Sequence, residues 1–235
     1  MKSRSTLDET KERILHTAGE AFGAHGFDGT TIRKITEKAG VNVAAVNYHF
    51  RDKSELYMRV LREAKCWTGD LPLLEPGGCP EEQLRGMIFT LMRRLLDPAR
   101  PAWHVQVITQ EMLHPTPALD MLVREMTEPI FSHVRALVRK ITGEKPTRTQ
   151  LDLIASSIVG QCLFYIRSRP MIERLAPELI KGPDRIERIA EHITAFSLAA
   201  LCNLYKNKNK NKNNRPSVRN GRTSHRGRIP AQHTS

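Results

Sequence analysis

Two short helices joined by a glycine turn are predicted for residues 31–50, and this segment constrains the fold more than any other. Its sequence is TIRKITEKAGVNVAAVNYHF. Thr31 is a suitable N-cap for the first helix, Gly40 turns the chain, and Asn42 is a suitable N-cap for the second helix. Val46 is best placed to pack the second helix onto the first. The spacing predicts a helix-turn-helix, which is typical of DNA-binding domains, although similar hairpins occur in proteins that never meet DNA.

The outer face of the second helix is small and polar. Its short side chains allow a helix to enter a major groove, and they are Val43, Ala44, Ala45 and Asn47. The residues that follow have groups able to donate to phosphates, and they are Tyr48, His49, Arg51 and Lys53. This order predicts base contacts from the helix and phosphate contacts from its end.

Capping signals extend the prediction on both sides of this hairpin. Thr6 with Glu9 forms a capping box for a preceding helix that Gly26 can end. Asp52 with Glu55 repeats the signal for a fourth helix. We therefore expect a helix-turn-helix domain over residues 1–51 and a connecting helix over residues 52–68.

The run from Thr10 to Leu61, with AFGAHGFDGTT and YHFRDKSELY around the hairpin, resembles the DNA-binding domain of TetR/AcrR transcriptional repressors. GVNVAAVNYHF, and later QEMLHPTPA and PIFSHV, are similar to the CecR-like branch of that family. The resemblance implies a homodimer on a double-stranded DNA operator. It implies base contacts by Val43, Ala44, Ala45 and Asn47. It implies sugar-phosphate contacts by Thr30, Thr31, Tyr48, His49 and Lys53.

The charge of the chain is unevenly distributed. Residues 1–65 hold twelve basic and nine acidic residues, whereas residues 66–205 hold sixteen of each. Residues 206–235 hold nine basic residues and no acidic one. The middle of the chain is therefore not a nucleic-acid surface. The tail cannot bury a core, so we expect disorder there. It either adds non-specific attraction to phosphates or is a low-complexity extension.

The rest of the chain predicts helices only. The fold class we expect is all-α, with an N-terminal three-helix head and a larger helical domain for effector binding and dimerisation over residues 69–205. Proline and glycine divide that domain into five helices, Glu81–Leu96, Ala102–Leu113, Ala118–Ile141, Gln150–Ile166 and Asp184–Leu204. Pro129 lies inside the third of these, where a kink is expected.

The last two helices carry apolar residues on two faces, which indicates two packing partners. Either both faces are buried within one monomer, or one face forms a four-helix interface with a second copy. The family resemblance implies the second arrangement, and Ile193 is our candidate for the interface. A dimer would place two recognition helices on a palindrome whose half-sites lie about 34–36 Å apart or further.

Other classes of protein are disfavoured. The chain has no Gly-rich phosphate loop, G-x-S-x-G, H-E-x-x-H or C-x-x-C motif, so we expect no enzyme. Glu111 and His114 have the spacing of a di-iron ligand pair, but a second such pair is missing, so no metal or other cofactor is expected. The four cysteines show no paired spacing. No apolar run approaches a membrane span, so we expect a cytoplasmic protein without membrane contact.

These features favour a ligand-responsive repressor that leaves its operator when a small molecule binds the middle domain. The candidate pocket residues are large or polar side chains on the central helices, namely Trp67, Trp103, Met112, Phe131, Gln161 and Tyr165. A neutral domain with few aromatic residues favours a mostly apolar ligand. The alternative is a constitutive DNA-binding protein whose helical domain only dimerises. A cavity distinguishes the two, because a sensor needs one and a purely structural dimer does not.

Overall fold

The computed structural model describes residues 2–66, 78–143 and 146–206, and every regular element within these ranges is helical. The predicted all-α class is therefore confirmed. The α-helices of the described ranges are α1 (Lys2–His25), α2 (Ile32–Ala39), α3 (Val43–Phe50), α4 (Lys53–Cys66), α5 (Pro80–Leu95), α6 (Ala102–Leu113), α7 (Leu119–Leu122), α8 (Glu128–Thr142), α9 (Arg148–Arg167), α10 (Arg169–Leu175) and α11 (Arg185–Leu201). The predicted domain boundary at residues 68–69 and the basic tail beyond Lys206 lie outside the described ranges.

Helices α1 to α4 enclose one hydrophobic core, to which each contributes fully buried side chains, among them Phe22, Ile35, Val46 and Leu56. Helix α1 begins at Lys2, so residue 6 lies within the helix and the predicted N-cap at Thr6 is wrong. The predicted stop at Gly26 is correct, since this glycine follows the helix with a φ of 69°. That left-handed conformation suits glycine because it lacks a Cβ atom.

Helix α6 packs against α1 so closely that a glycine is required at the contact. A Cβ atom placed on Gly19 would lie 2.4 Å from the ring of Trp103. Trp103 is buried in the same core as the first four helices, and its Nε1 donates to Nδ1 of His16 at 3.3 Å. The N-terminal head is therefore held to the rest of the chain by its packing against α6 as well as by the connecting helix α4.

The second core lies between α5, α8, α9 and α11 and contains Ile88, Val134, Ile158 and Ile193. The buried side chain of Arg135 ties α8 to α9, because its Nη1 donates to Oδ1 of Asp152 at 2.9 Å and its Nη2 pairs with Glu128. The polar groups of this buried cation are thereby satisfied within the fold.

The long helix predicted for residues 118–141 is interrupted. Helices α7 and α8 are joined by five residues in π-helical conformation, Val123–Thr127. Pro129 follows within two residues and has no N–H to donate back along the helix, which accounts for a change of pattern at this point. Helix α10 and the 3₁₀ turn Pro177–Leu179 were not predicted.

Candidate nucleic-acid interface and apolar cavity

The predicted capping of the helix-turn-helix is observed at all three positions. The hydroxyl of Thr31 accepts a hydrogen bond from the backbone N–H of Lys34 at 3.3 Å. Gly40 ends α2 with a φ of 63°. Oδ1 of Asn42 then accepts from the backbone N–H of Ala45 at 2.8 Å and begins α3. These local interactions fix the angle at which α3 leaves the turn.

Helix α3 presents a distinct outer face. Val46 and Phe50 are buried against the rest of the head, as predicted for Val46. Four of the predicted contact residues are exposed on the other side, and they are Val43, Ala44, Asn47 and Tyr48. Tyr48 is the most exposed large side chain of this face, at 76%. Ala45 and His49 are half-buried at the border of the face. The arrangement is suited to insertion of α3 into a groove.

The predicted phosphate contact through the side chain of Thr30 is wrong. Thr30 is only 1% exposed, and its hydroxyl donates to the carbonyl oxygens of Gly26 at 2.8 Å and Ala21 at 3.1 Å. It therefore holds the loop between α1 and α2. The neighbouring Thr31 is exposed, and its hydroxyl proton remains available while the oxygen caps α2.

Lys53 begins α4 and is half-buried. Its Nζ lies 4.2 Å from the ring centroid of Phe27, a cation–π geometry that orders the long side chain at the edge of the head. Between α3 and α4, Arg51 has a φ of 64°, a conformation that non-glycine residues rarely adopt. A strained residue thus separates the outward helix from the connecting helix.

A cavity of about 290 Å³ lies between α5, α6, α8 and α9. Its walls are mostly apolar, with Leu91, Ile108, Ile130 and Leu163 among them. Met126 and Thr127 of the π-helical segment also line it, so the widened backbone forms part of the wall. Cavities of this size that are largely apolar and contain a few polar groups are typical sites for small ligands.

Two of the six predicted pocket residues, Met112 and Phe131, line this cavity. Trp103 packs in the head core and does not line this cavity. Gln161 lies in a separate groove between α9 and α11, and Tyr165 packs against the second core, so neither of them lines it. Trp67 lies outside the described residues.

Several cavity residues were missed, including Arg100, Thr109, Ser156, Gly160 and Arg167. Arg100 precedes α6 in the loop DPARP, whereas all the predicted pocket residues are large or polar side chains expected on the central helices. Ser156 and Gly160 are small residues of α9. Small side chains facing the middle of a domain leave space there, so their spacing was a usable signal.

Buried hydrogen bonds join the cavity helix α6 to the connecting helix α4. Oη of Tyr57, on α4, donates to Oε2 of Glu111, on α6, at 2.8 Å. Oε1 of Glu111 also accepts from the backbone N–H and the hydroxyl of Thr116, at 2.8 and 3.0 Å. Burial and the adjacent carboxylate raise the pKa of the Tyr57 hydroxyl, so it remains a proton donor. Glu111 is thereby engaged in a structural network.

A second connection runs from α4 to the π-helical segment. Nζ of Lys65 lies 2.9 Å from Oε2 of Glu125, and Arg62 lies 3.6 Å from the other carboxylate oxygen. The hydrogen bond from Lys65 lowers the pKa of Glu125. The next two residues, Met126 and Thr127, line the cavity. Both ends of α4 therefore contact elements that form cavity walls.

An exposed apolar groove follows α9 and α11. Its lining includes Leu153, Ser157 and Gln161 of α9 with Phe196 and Ala200 of α11. Helix α9 is long and apolar enough to cross a membrane by length and composition, and only 28% of its most apolar window is buried. The interface candidate Ile193 is instead 1% exposed within the second core. The predicted interface residue is therefore wrong, and the exposed face is the one that carries Phe196.

Two families of known proteins match this chain, one over the N-terminal head and one over the C-terminal helices. Residues 14–60 match the family of bacterial regulatory proteins described as the tetR family. Residues 80–201 match the C-terminal domain of the HTH-type transcriptional dual regulator CecR. Between them, the two matches leave residues 61–79 uncovered, which include the end of α4.

Relatives match over both parts. The HTH-type transcriptional dual regulator CecR of Shigella flexneri is 25% identical over 172 residues, which cover 67% of this chain and 76% of that protein. The HTH-type transcriptional repressor AcnR of Corynebacterium jeikeium is 30% identical over 168 residues, covering 68% and 84%. A solved TetR family transcriptional regulator from Pseudomonas syringae has a similar fold, with a TM-score of 0.59 and 21% identity over 81% of this chain and 95% of that one.

Proposed function

Because the chain belongs to the TetR family of transcriptional regulators and has a C-terminal domain of the CecR type, we propose that it is a repressor whose hold on DNA is controlled by a small molecule. Its relatives are DNA-binding regulators and not enzymes, and DNA binding is the activity that the family shares. Release by an effector, a palindromic operator and a homodimer are the finer parts of the proposal. The cytoplasm, where bacterial DNA lies, is the proposed location.

The cavity of about 290 Å³ is the observation that carries this proposal. A constitutive DNA-binding protein with a purely structural second domain has no need of such a space. Its walls include α6, whose opposite face packs on the head through Trp103 and Gly19. One helix therefore contacts both the proposed ligand and the DNA-binding domain.

For DNA recognition we propose that Asn47 reads a base edge while the flanking small residues admit the helix. An amide side chain bonds adenine in two places, whereas Ala44 and Ala45 offer apolar contact to a thymine methyl group. Thr31, Tyr48, His49 and Lys53 remain the proposed backbone contacts, since all four lie at or beside the outer face of the head. Two such helices are needed to read a site of useful length.

The proposed partner of the exposed groove is the same groove on a second copy of the chain. Leu153, Phe164, Phe196 and Leu204 are all exposed apolar residues of the last long helices and their continuation. Self-association of a face with two-fold symmetry brings each of these helices against its copy and forms a four-helix contact. The same burial explains why α9 is so apolar while so little of it is covered within one chain.

For release, we propose that an occupied cavity moves α6 and the π-helical segment, and that both carry α4 with them. A ligand weakens DNA binding only if it favours the arrangement that fits DNA less well. Tyr57 and Lys65 are the points at which α4 would sense that change, through Glu111 and Glu125. The pivot of α4 would alter the separation of the two heads in the dimer.

The proposal is tested by selecting bound fragments from the source genome, mapping the protected site, and titrating the complex with compounds that raise the thermal unfolding midpoint. We expect a protected site of two symmetric halves, and at least one stabilising compound that releases it. A constitutive binder would instead show the same operator affinity with every compound that stabilises the protein.

A further inference from the structure

The charges that line the cavity all have the same sign. Of the described residues in its walls, two are charged, and both are arginines, Arg100 and Arg167. The remaining polar groups are the hydroxyls of Thr109, Thr127 and Ser156. An apolar space with two guanidinium groups and no carboxylate in its described walls has a positive potential, which favours an anionic occupant over a neutral one.

No carboxylate of the described residues forms an ion pair with Arg100. Its Nε is buried and has no hydrogen-bond partner among the described residues. Burial lowers the pKa of its guanidinium, and no described carboxylate raises it again. The nearby Asp97 is engaged in the preceding turn, where its Oδ1 accepts from the N–H of Ala99 at 2.9 Å. Arg100 as a whole is half-buried, and a cation partly removed from water without a counter-ion is destabilised, so an anion placed beside it would offset that cost.

His104, a titratable group near Arg100, does not neutralise the positive charge of Arg100 either. His104 is buried on α6, and burial together with the charges of Arg100 and His16 lowers its pKa to about 4. This histidine is neutral at neutral pH and would add positive charge if it titrated. His104 also contacts the ring of Trp103, with centroids 4.0 Å apart, so this end of the cavity adjoins the head core.

Arg167 is in a different environment. It is exposed, and its Nη2 contacts Sδ of Met112 near the C-terminal end of α6. Arg100 precedes the N-terminal end of that helix. The twelve residues of α6 span about 18 Å, so the two cations lie near opposite ends of the cavity helix. Arg167 is open to water, whereas Arg100 is only partly exposed and its Nε is buried.

We propose that the cavity binds an amphiphile with a single anionic head group, held head-first by Arg100, with its apolar chain along α6 towards Met112. This rests on the proposed function of the cavity as the effector site. A carboxylate suits the site because the planar guanidinium donates two parallel hydrogen bonds to it. The apolar wall residues Val105, Ile108 and Met112 follow the direction of the chain along one face of α6.

The experiment uses three probes that are built on an unbranched ten-carbon chain and differ in their head groups: decanoate, decanol and decyltrimethylammonium. Binding to the full-length chain is measured by calorimetry for the wild type, Arg100→Gln and the matched control Arg167→Gln. We expect decanoate to bind at least about tenfold more tightly than decanol, as a charged hydrogen bond predicts. Arg100→Gln should abolish this preference, and Arg167→Gln should leave most of it.

Equal binding of decanoate and decanol to the wild type overturns the inference, and so does a preference that survives Arg100→Gln. If Arg100→Gln does not fold, the wild-type comparison decides alone. Operator release is measured with the same probes. Release by decanol and decanoate alike would leave the sensor proposal intact and refute the anionic ligand. If the preference for decanoate depends on Arg100 but no probe releases the operator at any concentration, the anionic ligand is supported and the sensor proposal is refuted.

Discussion

Tyr57 donates a hydrogen bond to the buried carboxylate of Glu111 over 2.8 Å, and this contact joins the connecting helix to the helix that lines the cavity. The two residues are separated by 54 positions in the chain. Tyr57 is 2% exposed and Glu111 is fully buried. Any movement of α6 that keeps this bond must be followed by α4, and through α4 by the recognition helix.

Removing the Tyr57 hydroxyl should destabilise the protein measurably. Tyr57→Phe keeps the ring in the head core but removes one of the donors that satisfy Glu111. We expect the free energy of unfolding to fall by about 1.5–3 kcal/mol, the range for hydrogen bonds to a charged group. Chemical denaturation measures it, with Tyr48→Phe as control because Tyr48 is exposed. Equal stability of the two variants would show that the bond contributes nothing.

Replacing Asn47 should alter sequence preference more than overall affinity. Asn47→Ala removes the only amide on the outer face of α3, so discrimination at one base position per half-site should fall by about 1–3 kcal/mol. Lys53→Ala should weaken all DNA sequences alike and lower the salt dependence by about one per subunit. Binding to an operator series at several salt concentrations separates the two effects. An unchanged ratio of operator to random affinity for Asn47→Ala would refute the groove assignment.

A charge on the exposed face of α11 should give folded monomers. Phe196 is 60% exposed in the single chain, so Phe196→Glu costs little there but buries a carboxylate at the proposed interface. Leu175→Glu is the control, because Leu175 is 80% exposed on α10, outside the groove. Light scattering gives the mass and circular dichroism the helix content. A dimer formed by Phe196→Glu would place the interface elsewhere.

Acid should destabilise the fold in the range set by His104. Its pKa is about 4 in the folded chain against 6.5 for a free histidine, so the unfolded chain binds more protons between these values. The free energy of unfolding therefore falls as the pH is lowered from 6.5 to about 4, by up to about 3 kcal/mol. Urea unfolding of His104→Gln should show a shallower loss, while the exposed-site control His25→Gln should follow the wild type. If the free energy of unfolding falls equally with pH in the wild type and in both variants, His104 is not the cause of the loss.

Much of the head could be predicted because its signals are local. The caps at Thr31 and Asn42, the turn at Gly40 and the burial of Val46 depend on neighbours within a few residues. The predicted start of α1 was wrong for a related reason. A capping sequence at Thr6 permits a helix to begin there, but nothing in the preceding residues prevents the helix from extending to Lys2.

The cavity could be predicted only in part, because a cavity is a property of how distant helices pack. Trp103 has the large side chain of a pocket residue, yet its partner proved to be Gly19, 84 positions away. Ile193 and Phe196 both lie on the apolar positions of α11, and only the packing of α5 and α9 decides which of them is covered. Thr30 illustrates the same limit on a smaller scale, since its hydroxyl bonds across the α1–α2 loop.

We expect a filled cavity to change the spacing of the two heads, and a variant can fill the cavity without a known ligand. Gly160 lines it, and a Cβ atom there meets nothing within 4 Å. Gly160→Leu therefore adds bulk at the wall. Gly86→Leu is the matched control, since Gly86 is equally open, on α5, and outside the cavity lining. Ser156→Leu adds bulk at the same wall if Gly160→Leu does not dimerise.

The measurement is the distance between spin labels at Ala24→Cys, an exposed head position, in dimers whose other cysteines are replaced. We predict that Gly160→Leu shifts the distance distribution and weakens operator binding, whereas Gly86→Leu changes neither. An unchanged distribution in Gly160→Leu dimers that no longer bind the operator would contradict the account, and so would full operator affinity with the cavity filled.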